Sequence, residues 1–361
     1  MIAQRPLRVG FLHVGHERSG LRRYGGILAA EAASRADVEV IESDVGGRDA
    51  SWWELRRAAR RLRDTDVVHV QWKLADWNPR VGGIPRMEVV LESIRRPLVV
   101  TMHDVYPATG RQAWALWPTA LGMRRLGMAA TSLVVHSEEE RGRLRGRVPE
   151  DKVEVVPHFV ETRAGLPARE ASRAALGVAD RRVVTLLGHI IKRRGHSLLI
   201  DAMRELPEDV IALFVGTTRP GRESIGQALE EQALDAGVAE RVRFMGYLAE
   251  EGLEQVLAAT DVAVCPFQSM SASGALATVI SAGRPIVTSD LAPFGELNAL
   301  EPGALHPFAP YQPGPLAACI DEALAVAGEE RDPRVMALAR RLATSRIVDR
   351  YVGLYRAAAR D

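Results

Sequence analysis

Short apolar runs bounded by Gly, Pro or Asp alternate along the chain with longer stretches of helical period. That alternation predicts βα units on parallel sheets. In the first half, Leu7–His13, Val38–Glu42, Val67–Gln71, Leu98–Met102, Ser132–His136 and Val153–Val156 read as strands. Arginine-rich stretches such as Trp53–Arg63 separate them, with apolar residues at helical spacing. The rhythm weakens over His158–Asp180, where Gly165, Pro167 and Gly177 stand among charged and small residues, so the domain junction is expected there. A second series runs through Val183–Leu187, Ile211–Val215, Val242–Phe244, Val262–Pro266 and Pro285–Val287. Arg334 to Arg360 is helical by period and holds Tyr351, Leu354 and Tyr355 on one side. Two α/β halves of similar size predict paired Rossmann-like domains facing a cleft, over residues 1–160 and 161–335. A C-terminal helix over 336–361 is expected to return to the first domain.

Composition narrows the function classes. The chain has 361 residues, 47 basic and 46 acidic, so it exerts no net pull on nucleic acid. Its length exceeds one ordinary core. Two cysteines, Cys265 and Cys319, rule out a disulfide scaffold or a cysteine-based zinc site, and both read as packing residues. The apolar runs are far shorter than the ~20 residues of a membrane span. The run Val9–Leu12 is too brief for an export signal, so a cytoplasmic location is the expectation.

In parallel α/β sheets, ligands bind at the carboxyl ends of strands. Four such loops carry unusual residues. The first is Gly15-His16-Glu17-Arg18-Ser19-Gly20, which feeds a helix whose free N–H groups could hold an anion; the plain alternative is a turn that needs glycine. The second is Gly188-His189-Ile190-Ile191-Lys192-Arg193-Arg194-Gly195. Its three adjacent cations repel one another and a diphosphate would relieve them, unless they form a solvated basic turn. The third, Cys265 to Ala275, leaves a strand and enters a helix, with Ser271 and Ser273 as possible N-caps and Gly274 allowing close approach. The fourth is Thr101-Met102-His103-Asp104, where His103 could donate a hydrogen bond or hold positive charge. No second metal ligand stands beside His103, and Asp64-Thr65-Asp66 precedes its strand, so no metal site is expected.

The order of these pieces resembles glycosyltransferase family 4, retaining enzymes of GT-B fold that use nucleotide-activated sugars. Ser19-Gly20 and Leu28-Ala29 are similar to its opening loop and helix. Asp66-Val67-Val68-His69 looks like its third strand, Val99 to Asp104 like its strand ending in His-Asp, and Val155-Val156-Pro157-His158 like the close of its first domain. Gly188 to Gly195 lines up with the family's Gly-Arg-x5-Gly loop, with His189 in place of the usual Arg and Arg194 in place of the usual Lys. Phe244 to Leu248, around Gly246, resembles the stretch whose backbone reads the nucleobase. Ala259 to Pro266 is similar to the strand leading into the donor loop, and Asp290 to Glu296 to the loop ending near the sugar nucleotide. The family's Glu-x7-Glu pair falls on Met270 and Thr278, so both carboxylates are missing.

What the resemblance implies is retaining transfer from a nucleoside-diphosphate sugar to an acceptor hydroxyl, with no cofactor and no metal. His103 and Arg194 are the expected catalytic residues. Gly20, His189, Lys192, Gly246, Ser273, Gly274, Thr278 and Glu296 are expected at the donor, and Trp72 and Asp104 at a saccharide or small-molecule acceptor. The aromatic segments Gln71–Asn78 and Tyr106–Trp117 would supply acceptor contacts, and a peripheral membrane contact over Arg111–Met128 is conceivable. The rivals are an inactive GT-B scaffold that holds a nucleotide sugar or a partner enzyme, and a GT-B epimerase, which would need acid/base groups that are not evident.

Overall fold

A computed structural model describes residues 5–15, 19–46, 50–73, 77, 84–105, 117–163 and 165–360. The chain forms two compact units, Met1–His158 with Thr344–Asp361, and Phe159–Ala343. The segment 336–343 thus belongs to the second unit, and the return to the first begins at Thr344.

In the first unit, β1 (Leu7–Val14), β2 (Val38–Val45), β3 (Val67–Trp72), β4 (Leu98–Met102), β5 (Ser132–Val135) and β6 (Val153–Val155) form a parallel sheet in the order β2-β1-β3-β4-β5-β6. Asp66, read above as punctuation before β3, accepts hydrogen bonds from the Arg8 backbone N–H (2.9 Å) and from the Arg5 guanidinium. Strand alternation sorts the side chains. Leu12, Val14, Val68, Val70, Trp72, Val100 and Met102 go to one apolar core. The alternate positions Phe11, His69, Gln71, Thr101 and His103 interact with one another and with Tyr351 and Tyr355 of the returning helix Thr344–Ala358.

The second unit repeats the plan. Strands β7 (Arg182–Leu187), β8 (Val210–Val215), β9 (Val242–Gly246), β10 (Val262–Cys265), β11 (Ile286–Ser289) and β12 (Leu305–Phe308) lie parallel in the order β12-β11-β10-β7-β8-β9. The β12 strand carries Pro307, and its place at the sheet's edge tolerates the missing N–H. The C-terminal stretch expected as one helix is two, Pro333–Arg341 and Thr344–Ala358. Between them the Leu342 carbonyl accepts the Val160 N–H at 2.7 Å, and Ala343 bridges to Val160, which diverts the backbone from the helical ladder. Among the described residues no helix is long and apolar enough to cross a membrane.

Candidate functional site

The order in which successive strands are added reverses at one place in each sheet, between β1 and β3 in the first unit and between β7 and β10 in the second. Crevices outside the carboxyl ends of strands form at such reversals. Gly20 follows β1, and the Gly188–Gly195 loop and Ser273–Gly274 follow β7 and β10, so these candidates stand at the two places, whereas His103 follows β4 and Gly246 closes β9; each is described within its own unit.

In the second unit, β7 is followed by Gly188, whose φ of 124° favours glycine. The loop then makes a short 3-10 turn over Lys192–Arg194 and closes at Gly195 with φ 80°. A Cβ on Gly195 would stand 2.1 Å from the Pro266 carbonyl oxygen, so only glycine lets this loop approach the end of β10. The turn separates the three cations. Lys192 and Arg193 are exposed, whereas the Arg194 guanidinium is half-buried, 4.1 Å above the centre of the Phe267 ring, and donates to Ser273 Oγ at 3.1 Å. Ser273 is the N-cap of the helix Gly274–Ala282, its oxygen also accepting the Leu276 N–H at 3.2 Å. Among the described residues no carboxylate pairs with Arg194, and burial lowers its pKa. This is a desolvated cation held flat by an aromatic ring, with a serine as its hydrogen-bond partner.

Around it, Gly274 is exposed, and a Cβ there would meet nothing within 4 Å. Thr278, the expected stand-in for a ribose-binding carboxylate, donates its hydroxyl proton to the Gly274 carbonyl (2.9 Å), which leaves only its lone pairs for a ligand. His189 is exposed just after Gly188. Gly246 closes β9 with φ 67°, and its carbonyl accepts the Gly216 N–H at 2.8 Å. Glu296 lies half-buried on the helix Ala292–Leu300.

In the first unit, Ser19 caps helix α1 (Gly20–Ala33) by accepting the Arg22 N–H at 3.1 Å, and Gly20 opens the helix with no neighbour within 4 Å of a Cβ position. Residues 16–18 lie outside the described residues. His103 extends the ladder past β4 by donating its backbone N–H to the Trp72 carbonyl, and its Nε2 lies 2.5 Å from Gln71 Oε1. Tyr24 packs edge-on against its ring at 4.9 Å, and the His136 ring is 5.0 Å away. Burial, then the neighbouring His136 and His158, hold the His103 pKa well below the usual imidazole value. The imidazole is therefore neutral near pH 7, which removes the expectation that it carries positive charge; its polar contacts remain.

Behind His103 a bonded group runs to the returning helix. Gln71 Nε2 lies 3.3 Å from His69 Nε2, which is 2.8 Å from Thr101 Oγ1, and His69 Nδ1 is 2.6 Å from the Tyr355 hydroxyl. The Tyr351 hydroxyl reaches both Thr101 Oγ1 and the Tyr24 hydroxyl at 3.1 Å. Sequence reading placed Gln71 only in the acceptor segment Gln71–Asn78 and missed it as the partner of His103. Strand parity was the available signal, because Gln71 is two positions from His69 and shares its face.

The same parity corrects the acceptor assignment. Trp72 points with Val68 and Val70 into the apolar core and is fully buried, as is Trp77, whose indole N–H donates to the Gln71 carbonyl at 3.3 Å. Neither ring is available to a sugar. Trp72→Ala is expected to lower folding stability by about 3–5 kcal/mol, as deletion of a buried aromatic does. Acceptor KM, measured on the folded fraction at low temperature, should stay within about threefold. Asp104 is half-buried beside His103, while residues 106–116 lie outside the described residues.

Comparison with known proteins matches residues 19–164 to the profile "Glycosyltransferase Family 4" and residues 181–325 to "Glycosyl transferases group 1". D-inositol 3-phosphate glycosyltransferase of Nocardia farcinica is 29% identical over 265 residues, covering 69% of this chain and 56% of that one. The GDP-mannose-dependent alpha-(1-6)-phosphatidylinositol monomannoside mannosyltransferase of Mycolicibacterium smegmatis is 32% identical over 168 residues, 44% of this chain and 42% of that one. The chain thus spans about half the length of the curated relatives it matches. Among solved structures, Anabaena HepE in complex with UDP-glucose has a TM-score of 0.77 at 17% identity, covering 97% of this chain and 100% of the other. Sucrose-phosphate synthase of Thermosynechococcus elongatus has a TM-score of 0.77 at 18% identity, covering 97% and 98%. The two six-stranded parallel sheets are those of a GT-B protein, and the chain belongs to glycosyltransferase family 4.

Proposed function

We propose that this protein transfers a sugar from a nucleoside-diphosphate sugar to an acceptor hydroxyl, with retention at the anomeric carbon and without a metal ion. The observation that carries the reading is the Arg194 guanidinium, turned inward, stacked on Phe267 and bonded to Ser273, with no carboxylate counter-charge among the described residues. A partly desolvated cation without a counter-charge is costly, and an incoming diphosphate supplies the missing charge.

As the bond between the anomeric carbon and the leaving oxygen breaks, negative charge grows on the diphosphate. Arg194 and the exposed backbone at Gly274 are donors set in place before the reaction, so they stabilise that charge without reorganising. Lys192 and His189 are assigned to outer phosphate contacts, and Gly246 and Thr278 to the nucleoside. In front-side attack the leaving oxygen accepts the acceptor's proton, so no enzyme nucleophile is required. Neutral His103, fixed by Gln71, is assigned to a hydrogen bond with the donor sugar. Arg194 takes the role a metal would otherwise fill.

The first donors to test are UDP-glucose and GDP-mannose, because a structural neighbour was solved with the former and a sequence relative is named for the latter. Purified protein with a donor panel and hydroxyl acceptors should release nucleoside diphosphate at a rate unchanged by EDTA. Proton NMR of the product should show the donor's anomeric configuration. Tight donor binding without turnover across all acceptors would instead identify an inactive scaffold, and an inverted product would overturn the mechanism.

A further inference from the structure

The sequence Trp52-Trp53-Glu54-Leu55-Arg56-Arg57-Ala58-Ala59-Arg60-Arg61 forms helix α2 (Trp52–Arg61) of the first unit. A capping box starts it: Ser51 Oγ accepts the Glu54 N–H, and the Glu54 carboxylate accepts the Ser51 N–H at 2.7 Å. The helix's one carboxylate is thereby turned back onto its own first turn. The inward face carries Leu55, Ala58 and Ala59, all buried in the core. The outward face is left with Trp53, Arg56, Arg57, Arg60 and Arg61, spaced i, i+3, i+4, i+7, i+8 around a shallow groove of about 300 Å³. Among the described residues none of these four arginine side chains makes a hydrogen bond or an ion pair. Trp53 is 69% exposed and its neighbour Trp52 is 53% exposed.

We propose that this face docks on an anionic phospholipid surface, with the arginines on lipid phosphates and the two indoles at headgroup level. Four neighbouring guanidiniums without counter-charges repel one another, and a plane of phosphates relieves all four at once. Acidic residues elsewhere on this near-neutral chain do not cancel the attraction, because charges beyond about 8–10 Å are screened at physiological salt. The indoles choose between polyanions. A pair of large aromatic rings in water beside a cationic row suits the lipid–water boundary, which takes up the ring and leaves its N–H wet. The apolar face of α2 stays in the protein core, so the helix lies on the membrane and does not insert through it. The inference is independent of the transferase reading.

Flotation of the full-length protein with vesicles provides the test. The wild-type chain should float with phosphatidylcholine vesicles containing about a third phosphatidylglycerol, and not with pure phosphatidylcholine. Binding should fall steeply as salt is raised from about 0.1 to 0.5 M. Each of Arg57→Glu, Arg60→Glu and Arg61→Glu should weaken the partition coefficient at least about fivefold, and the triple variant should abolish flotation. Trp53→Ala should weaken binding to a degree that salt does not change, and brominated lipid should quench the wild-type fluorescence. The charge-matched control Arg204→Glu/Arg340→Glu/Arg346→Glu should float like the wild type. No flotation of the wild type, equal loss in the control, or binding to single-stranded oligonucleotide but not to vesicles would each overturn the proposal.

Discussion

Arg194→Ala should lower kcat/KM for donor turnover by about 100- to 1000-fold, the usual cost of removing one preorganised donor from developing oxyanion charge. Nucleoside diphosphate binding should weaken with it, because in the proposed site the same guanidinium faces the product. Arg194→Lys should recover only part of the loss. An ammonium keeps the charge but cannot stack flat on Phe267 while bonding Ser273 Oγ. Stability should move the other way. Arg194 has no ion pair to lose and its charge is opposed by burial, so Arg194→Met should leave the melting temperature unchanged or raise it. An activity loss accompanied by a large fall in melting temperature would mean that Arg194 holds the loop together. Unchanged activity would remove the diphosphate assignment.

The sequence made the alternation of strands and helices plain because strands covered on both faces are short apolar runs wherever they occur. Eleven runs expected as strands are strands, with ends shifted by no more than three residues and Leu98–Met102 matched at both ends. The strand at Leu305–Phe308 escaped because Pro307 demotes such a run unless its edge position is known. The helix break at Leu342 depends on Val160, a contact between distant parts of the chain that no local pattern carries. Side-chain roles divided in the same way. Three cations in a row marked the loop after β7, but which of them turns inward is decided by the left-handed Gly195 against Pro266, a tertiary approach. Trp72 was misassigned by residue type, although its parity with Val68 and Val70 places it in the core. The group around His103 could not be read locally, since Tyr24, Gln71, His136 and Tyr351 come from four separate stretches of chain.

That group should make the first unit acid-labile. His69 and His136 are buried, and burial first, then nearby histidines, pushes each pKa down to about 3. The pKa of His103 is also lowered, by burial and by the same neighbours, and that of His13 is lowered by burial and Arg22. Each therefore resists protonation in the folded unit, whereas an imidazole of the unfolded chain takes up a proton near pH 6.5. The stability they protect is therefore complete above about pH 6.5 and is lost as the pH falls toward their folded values. Carboxylates with lowered pKa, Asp66 among them in this unit, add to the loss only below about pH 5. At pH 4.5 the cost is on the order of 2–3 kcal/mol for each of His69 and His136. The second unit carries fewer such groups, with His196 near 4. All six tryptophans lie before residue 159, so their fluorescence reports the first unit alone. Urea unfolding followed by tryptophan emission should show a midpoint that drops markedly between pH 7 and pH 4.5. His69→Gln should flatten that slope by about one proton while lowering stability at pH 7, because its bonds to Tyr355 and Thr101 are lost. A midpoint that does not move over this range would show that these imidazoles are solvated and charged, and the neutral assignment of His103 would fall with them.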